Sequence, residues 1–195
     1  MTTFVPVGTH YHALFFLVLV VSRGLDLLST WVGTPNLVLE ANPVARRLGW
    51  KWGAAVNVGI SFVFGFWPLL AIALSTMSIL VAARNFQKAW LMRTMGEHAY
   101  RDWHVARIQE TRITLFLFCL AGDTLLVGAI GIAVICFSEM LIVPLGIGVG
   151  MVIYAMLVAF YTMLAVWRLR RAADRETRRC EMAPTGFVEP AVGPK

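Results

Sequence analysis

Charged residues are scarce in this chain of 195 residues. Lys, Arg, Asp and Glu make up 14% of it, against about 25% in ordinary soluble domains, and hydrophobic residues make up 58%. Mean hydropathy is correspondingly high, at +0.71. Several apolar stretches approach or exceed the roughly 20 residues that a helix needs to cross about 30 Å of hydrocarbon. The composition therefore predicts an all-α integral membrane protein, with no separate soluble domain.

The chain also lacks the sequence features of disulfide-rich, zinc-binding and nucleic-acid-binding proteins. The three cysteines, at positions 119, 136 and 180, show neither paired nor metal-type spacing, and the histidines complete no zinc set. The net charge of +6 comes without a nucleic-acid reader motif, so we expect anionic lipid and not nucleic acid to be the partner of the basic residues. Residues 1–10 contain no basic stretch of the kind that opens a cleavable signal, so the first span is expected to remain.

The hydrophobic pattern predicts a bundle of four transmembrane helices in one domain, residues 1–167. An amphipathic segment between the second and third helices is expected to be helical and either interfacial or cytoplasmic. Pro68 predicts a kink in the second helix, and the tail is basic first and then rich in Pro and Gly. The predicted helices cover about 11–32, 54–83, 113–137 and 141–167, the amphipathic segment 84–112, and the tail 168–195.

Basic residues near the span ends predict the orientation. Six Lys or Arg fall in 84–112 and seven in 168–195, whereas the turn at 138–140 has none. By the positive-inside rule this pattern predicts a multipass protein of the inner membrane with both termini cytoplasmic. Arg46, Arg47 and Lys51 then fall on the outer side, against the rule.

The first span carries the most polar residues. Arg23 and Asp26 lie inside it, and each charge at the centre of a spanning helix costs at least about 2.5 kcal/mol. Arg23 is one turn before Asp26, which predicts an ion pair between them. Ser29 and Thr30 share the face of Asp26, so this face is expected to point inward.

The connection after this span supplies a second polar group. Asn42 is a natural N-cap with Pro43 at the first helical position, and Gly49 suits the exit of a short helix. We expect Glu40 to fold back so that Arg23 bridges it and Asp26 in one cluster near the outer leaflet, covered by the Asn42 turn.

Two interpretations of these residues remain open. In the first, Asp26, Glu40 and Asp123 bind a cation or a proton, helped by neutral side chains; oxygen ligands suit an alkali ion, magnesium or calcium better than zinc. In the second, the carboxylates pair with nearby arginines and only pin the hairpin. No cofactor is required by either, and a bound cation fits the first. The candidate residues are Arg23, Asp26, Ser29, Thr30, Glu40, Asn42, Asn57 and Asp123.

The spacing of Asp26, Thr30, Glu40, Asn42 and Pro43 resembles a small bacterial and archaeal membrane family of unknown function, whose first hairpin carries an Asp, Thr, Glu-x-Asn-Pro signature. The resemblance covers residues 22–49. That family places a lysine in its second helix, where this chain has Asn57 and Ser61. The resemblance implies a multipass membrane protein and no particular activity.

The residues favour a non-enzymatic membrane protein that binds or scaffolds, with an ion or proton site as the sharpest form. Its partners are then the lipid bilayer and either further copies of the chain or another membrane protein. The alternative is an intramembrane hydrolase that uses Asp26 and Asp123 as a pair, since a Gly precedes each in the manner of intramembrane aspartyl peptidases. The predicted order of spans places the two carboxylates at depths that differ by about 12 Å, which works against a shared proton.

Overall fold

A computed structural model describes residues 4–38 and 43–182, with backbone only at 43–45 and 172–182. This part of the chain is all-helical. Four of the helices are long and apolar enough to span a membrane: α1, α3, α5 and the first 30 residues of α6. The predicted all-α fold with four such helices is confirmed, but the second of them is α3 and not the predicted helix 54–83. The helices are α1 (His10–Gly33), α2 (Pro43–Phe64), α3 (Pro68–Met95), α4 (Glu97–Glu110), α5 (Ile113–Cys136) and α6 (Ile142–Met182).

The second predicted helix, 54–83, is divided in two by the structure. The helix α2 ends at Phe64 and α3 begins at Pro68. Trp67 before that proline is extended (φ −118°, ψ 99°), because the proline ring excludes the helical conformation from the residue that precedes it. The kink expected at Pro68 is therefore a chain reversal, and each helix extends beyond the predicted range at its other end.

Glycines interrupt the helical backbone at two further positions. Gly49 interrupts α2 with a left-handed backbone (φ 66°), and Gly96 separates α3 from α4 (φ 81°). Residues that carry a Cβ atom rarely adopt these backbone angles, so glycine is required at both positions. The segment between the second and third predicted helices is thus the end of α3 followed by α4. At the other end of the chain α6 continues to Met182, so the basic first part of the predicted tail is helical.

Three helices run in the same direction. On α1 and α3, Arg23 contacts Ser78 and Gly33 approaches Ala89, so residue numbers rise together along the two helices. The contact of Gly146 with Ile72 shows that α6 also begins where α3 begins. The helices α2 and α5 run the opposite way: α2 begins near Pro35, beside Trp50, and ends beside residue 12.

The helices form a row in the order α2, α1, α3, α6, α5. Glycines allow close backbone contact in the second half of this row. A methyl group on Gly150 would lie 2.5 Å from the carbonyl oxygen of Ala73, and one on Gly148 2.7 Å from that of Gly131. Small residues of this kind let membrane helices approach closely, and they lock α3, α6 and α5 together.

The row has two unlike ends. Where α1, α3 and α6 finish lie the connection of residues 34–38, Gly96, α4 and Arg170, which donates to the carbonyl oxygen of Thr111. We call this the basic end. Where the same helices begin lie residues 4–9, 65–67 and 137–141, with no Lys or Arg; we call this the opposite end.

The first residue of α1 and the last described side chains of α6 therefore lie at different ends. This order differs from the predicted one, in which both ends of the chain share a side. The physical reason is the reversal at residues 65–67, which adds a return pass by α2 that the prediction of one helix over 54–83 did not contain.

Candidate functional site

Arg23 lies near the middle of α1 and connects three helices. Its Nε donates a hydrogen bond to Oδ1 of Asn57 on α2 (2.7 Å), and its Nη1 donates to Oγ of Ser78 on α3 (3.5 Å). Both partners are neutral, so hydrogen bonds hold the guanidinium at this depth and leave its charge in place. We call Arg23, Asn57 and Ser78 the Arg23 cluster.

The partners of Arg23 are held by their own helices. The amide nitrogen of Asn57 donates to the carbonyl oxygen of Gly53 (2.8 Å), which leaves the side-chain oxygen for the guanidinium. Ser61, one turn further, donates to the backbone carbonyl of Asn57 (2.7 Å). Ser61 and Ser78 are completely buried. The cluster therefore lies in the interior of the α1, α2 and α3 group.

A second layer lies about two turns nearer the basic end. The hydroxyls of Ser29 and Thr30 donate to the backbone carbonyl of Asp26 at 2.8 and 3.1 Å. The side-chain amide of Asn85 on α3 donates to both hydroxyls, at 3.2 and 3.4 Å. The expectation that this face of α1 points inward holds for Ser29, which is completely buried. The hydrogen-bond partner of Ser29 on α3, Asn85, was not predicted from the sequence.

The predicted ion pair between Arg23 and Asp26 is not formed. The ion pairs in the described part of the chain are Arg84 with Asp123 and Arg107 with Glu110. The guanidinium of Arg23 is directed sideways to α2 and α3. An ion pair within α1 would not connect it to another helix, whereas the contacts of Arg23 with Asn57 and Ser78 connect α1 to α2 and α3.

Two candidate residues lie outside the described residues, Glu40 and Asn42. The predicted bridge from Arg23 to Glu40 and the predicted N-cap at Asn42 therefore stay predictions.

Asp123 belongs to a different place in the row. Its Oδ2 accepts a hydrogen bond from Nη1 of Arg84 on α3 at 2.7 Å, and the hydroxyl of Tyr154 on α6 lies beside the same guanidinium. Arg84 precedes Asn85, so Asp123 and Asp26 lie within about one helical turn of the same level. The predicted depth mismatch is wrong because it assumed the other chain direction. What separates the two carboxylates is lateral: α3 and α6 stand between α1 and α5.

Glu97 organises the basic end, and sequence reasoning missed it. Its carboxylate accepts hydrogen bonds from the hydroxyl of Thr34 (2.7 Å), from the backbone and side-chain nitrogens of Asn36 (3.0 Å each) and from the backbone nitrogen of Val38 (3.2 Å). Leu37 between them has a left-handed backbone (φ 56°), so successive N–H groups converge on the carboxylate. We call Glu97 with residues 34–38 the Glu97 latch.

Ionisation of Glu97 is favoured by this arrangement. Partial burial works against the charged form, but the hydrogen bonds from Thr34, Asn36 and Val38 outweigh it and hold the pKa of Glu97 below its ordinary value. The carboxylate is therefore charged at neutral pH and ties the end of α1 to the start of α4.

A signal for two of the missed residues was present. Ser78 and Asn85 are seven residues apart in an apolar run, which places both on one face of a helix. Glu97 carried no such signal, since its partners are more than 50 positions away.

Within the described residues, no group of three or more His, Cys, Asp or Glu side chains is placed to hold a metal ion. Comparisons with protein-family models, with curated proteins and with solved structures give no match to this chain.

Proposed function

We propose that this chain is a non-enzymatic integral membrane protein that binds or scaffolds, with the Arg23 cluster and Asp26 as a proton site. The observation that carries the proposal is the contact of Arg23 with Asn57 and Ser78, because a charge kept inside a span by partners on two other helices is costly without a role. Arg23 repels a metal cation at this place. Exchange of a proton at Asp26, one turn away, changes the net charge of the site without that conflict.

The placement of Asp123 weighs against the hydrolase alternative. An aspartyl dyad needs two carboxylates that share a proton. Asp123 is instead bound to Arg84, and α3 and α6 lie between its helix and that of Asp26. We therefore expect no hydrolytic activity from this pair.

For orientation we propose that the basic end faces the cytoplasm and that the N-terminus faces the other side. Residues 1–22, 52–83 and 113–167 contain no Lys or Arg, so all of the basic residues near span ends belong to one end. Arg46, Arg47 and Lys51 now agree with the positive-inside rule, because α2 begins at the basic end. Reporter fusions at residue 1 and after residue 171 should report opposite sides; the same side at both positions would overturn this topology.

The proton site is tested by infrared difference spectroscopy on the full chain in lipid vesicles, as the pH is stepped between 8 and 5. We expect a protonated-carboxyl band that Asp26→Asn abolishes and that Arg23→Gln shifts to higher pH, because loss of the positive charge favours the neutral acid. Asp123→Asn is the matched control and should leave this band in place. A band that survives Asp26→Asn, or none at any pH, would refute the proton site.

A further inference from the structure

A second group of charged side chains lies in the basic half of the row, away from the Arg23 cluster. Arg84 and Lys88 are one turn apart on α3. His104 of α4 lies within electrostatic range of Lys88. We call Arg84, Lys88 and His104 the basic cleft. Asp123 is the carboxylate beside it.

Positive charge in the basic cleft exceeds negative charge. Two permanent cations face one carboxylate, which already accepts from Arg84 at 2.7 Å. Lys88 lies within electrostatic range of both Arg84 and Asp123, so a like charge one turn away opposes the attraction of the carboxylate. The cleft therefore favours an added anion.

The rest of the cleft supplies hydrogen-bonding groups of the right kind. The ring of His104 is stacked on Tyr100 with centroids 5.7 Å apart, which fixes its direction. Partial burial and the nearby Lys88 lower the pKa of His104, so at neutral pH the ring offers one N–H without adding charge. A guanidinium, an ammonium and an imidazole are the side chains that bind phosphate oxygens.

The carboxylate beside these residues is accessible from outside the protein, on the side of α5. The side chain of Asp123 is half exposed (51%), and Leu126 and Ile130, about one and two turns further along the same face of α5, are also exposed. Of the most apolar 18-residue stretch of α5, only 6% is buried within the protein. A ligand in the cleft thus lies beside an apolar surface that acyl chains can cover.

We propose that the basic cleft binds the phosphate of an anionic lipid headgroup in the leaflet at the basic end, with the acyl chains along the exposed face of α5. Lys88 and Arg84 supply the charge, and His104 supplies a directed hydrogen bond. Free phosphate shares the headgroup chemistry but makes no use of the apolar face, so the two sources can be distinguished.

The test measures lipid binding to the full chain in detergent by native mass spectrometry, with phosphatidylglycerol, phosphatidylcholine and inorganic phosphate as separate probes. We expect phosphatidylglycerol to bind more tightly than phosphatidylcholine. Lys88→Gln should weaken the phosphatidylglycerol complex at least about fivefold, the effect of one basic residue at an anionic surface. Arg101→Gln, which removes an exposed charge from α4, is the matched control and should change binding by less than about twofold.

Three outcomes would overturn the proposal. Equal binding of phosphatidylglycerol and phosphatidylcholine would show that the charge of the headgroup does not determine binding. An equal loss in Lys88→Gln and Arg101→Gln would indicate a diffuse surface potential instead of a site. Binding of inorganic phosphate as tight as that of phosphatidylglycerol would assign the cleft to a soluble anion. Circular dichroism of each variant confirms that it is folded before binding is compared.

Discussion

The two halves of the helix row are held together in different ways. Between α1, α2 and α3 the contacts are hydrogen bonds among side chains, centred on Arg23 and on Asn85. Between α3, α6 and α5 they are mainly close backbone contacts at glycines such as Gly148 and Gly150, with the ion pair of Arg84 and Asp123 as a polar addition. Close backbone contact leaves no room for an added methyl group, whereas side-chain hydrogen bonds depend on donors and acceptors that a substitution can remove one at a time. The proposed proton site at Asp26 therefore lies in the hydrogen-bonded half, and the closest backbone contacts lie in the other.

The largest effect is expected in the glycine-packed half. In Gly150→Ala the new methyl group would lie 2.5 Å from the carbonyl oxygen of Ala73, so α3 and α6 must separate. We expect a loss of about 3 kcal/mol in the free energy of unfolding, the upper range for overpacking. Gly122→Ala is the matched control, since no atom lies within 4 Å of its added methyl group. Thermal unfolding in detergent measures both, and equal stability of the two variants would contradict the close contact.

The next effect is expected in the Arg23 cluster. Arg23→Met removes the donor to Asn57 and leaves a buried amide oxygen without it, which should cost about 2 kcal/mol. Asn57→Leu alone should cost a similar amount, since it strands the guanidinium. The double variant should cost less than the sum of the two, because the same hydrogen bond is lost in each. Strict additivity in chemical unfolding would show that the bond contributes nothing.

The Glu97 latch gives a smaller effect that depends on pH. The pKa of Glu97 is depressed in the folded protein, so its stabilisation is complete above the ordinary value of 4.5 and is lost as the pH falls through the lower folded value. Glu97→Gln should cost about 1 kcal/mol at pH 7, the contribution of an ordinary net hydrogen bond. It should also flatten the fall in stability below pH 4.5, measured by unfolding midpoints at pH 3 to 7. Glu110→Gln, in an exposed pair with Arg107, is the control and should change little.

The smallest effect is expected at Asn85. Its amide bonds to Ser29 and Thr30 are long, at 3.2 and 3.4 Å, and both hydroxyls keep a backbone acceptor on α1. Asn85→Ala should therefore cost about 0.6 kcal/mol, the mean for side-chain hydrogen bonds between membrane helices. A loss as large as that of Arg23→Met would make Asn85 and not Arg23 the main link between α1 and α3.

Prediction from the sequence succeeded where a local pattern decides the structure. Long apolar runs identified α1, α5 and the apolar part of α6 within a few residues. It failed at Pro68, where the same local signal fits a kink or a full reversal. Whether the chain bends or turns back there depends on what α2 packs against, and that surface is supplied by α1.

For the candidate site, too, the sequence identified residues that need partners, but the tertiary structure decided which partners they have. A charge inside a span marked Arg23 as a residue that needs partners, and Asn57 was among the candidates. The nearest residue in the sequence, Asp26, was expected to be the partner, but the guanidinium reaches Asn57 and Ser78, which lie 34 and 55 positions further on. Asp123 was grouped with Asp26, although Arg84 holds it on the other side of α3.

The sequence by itself determined that this protein is helical, with four runs long and apolar enough to span a membrane, where the hydrocarbon favours backbone whose hydrogen bonds are satisfied within the segment. It also identified the charged residues inside the apolar runs as ones that need partners. The tertiary structure alone decided the direction of α3, which end of the row collects the basic residues, and which polar side chains meet. These depend on contacts between residues far apart in the chain, and in the absence of a hydrophobic driving force between helices such contacts follow from the fit of particular surfaces, such as Gly150 against Ala73.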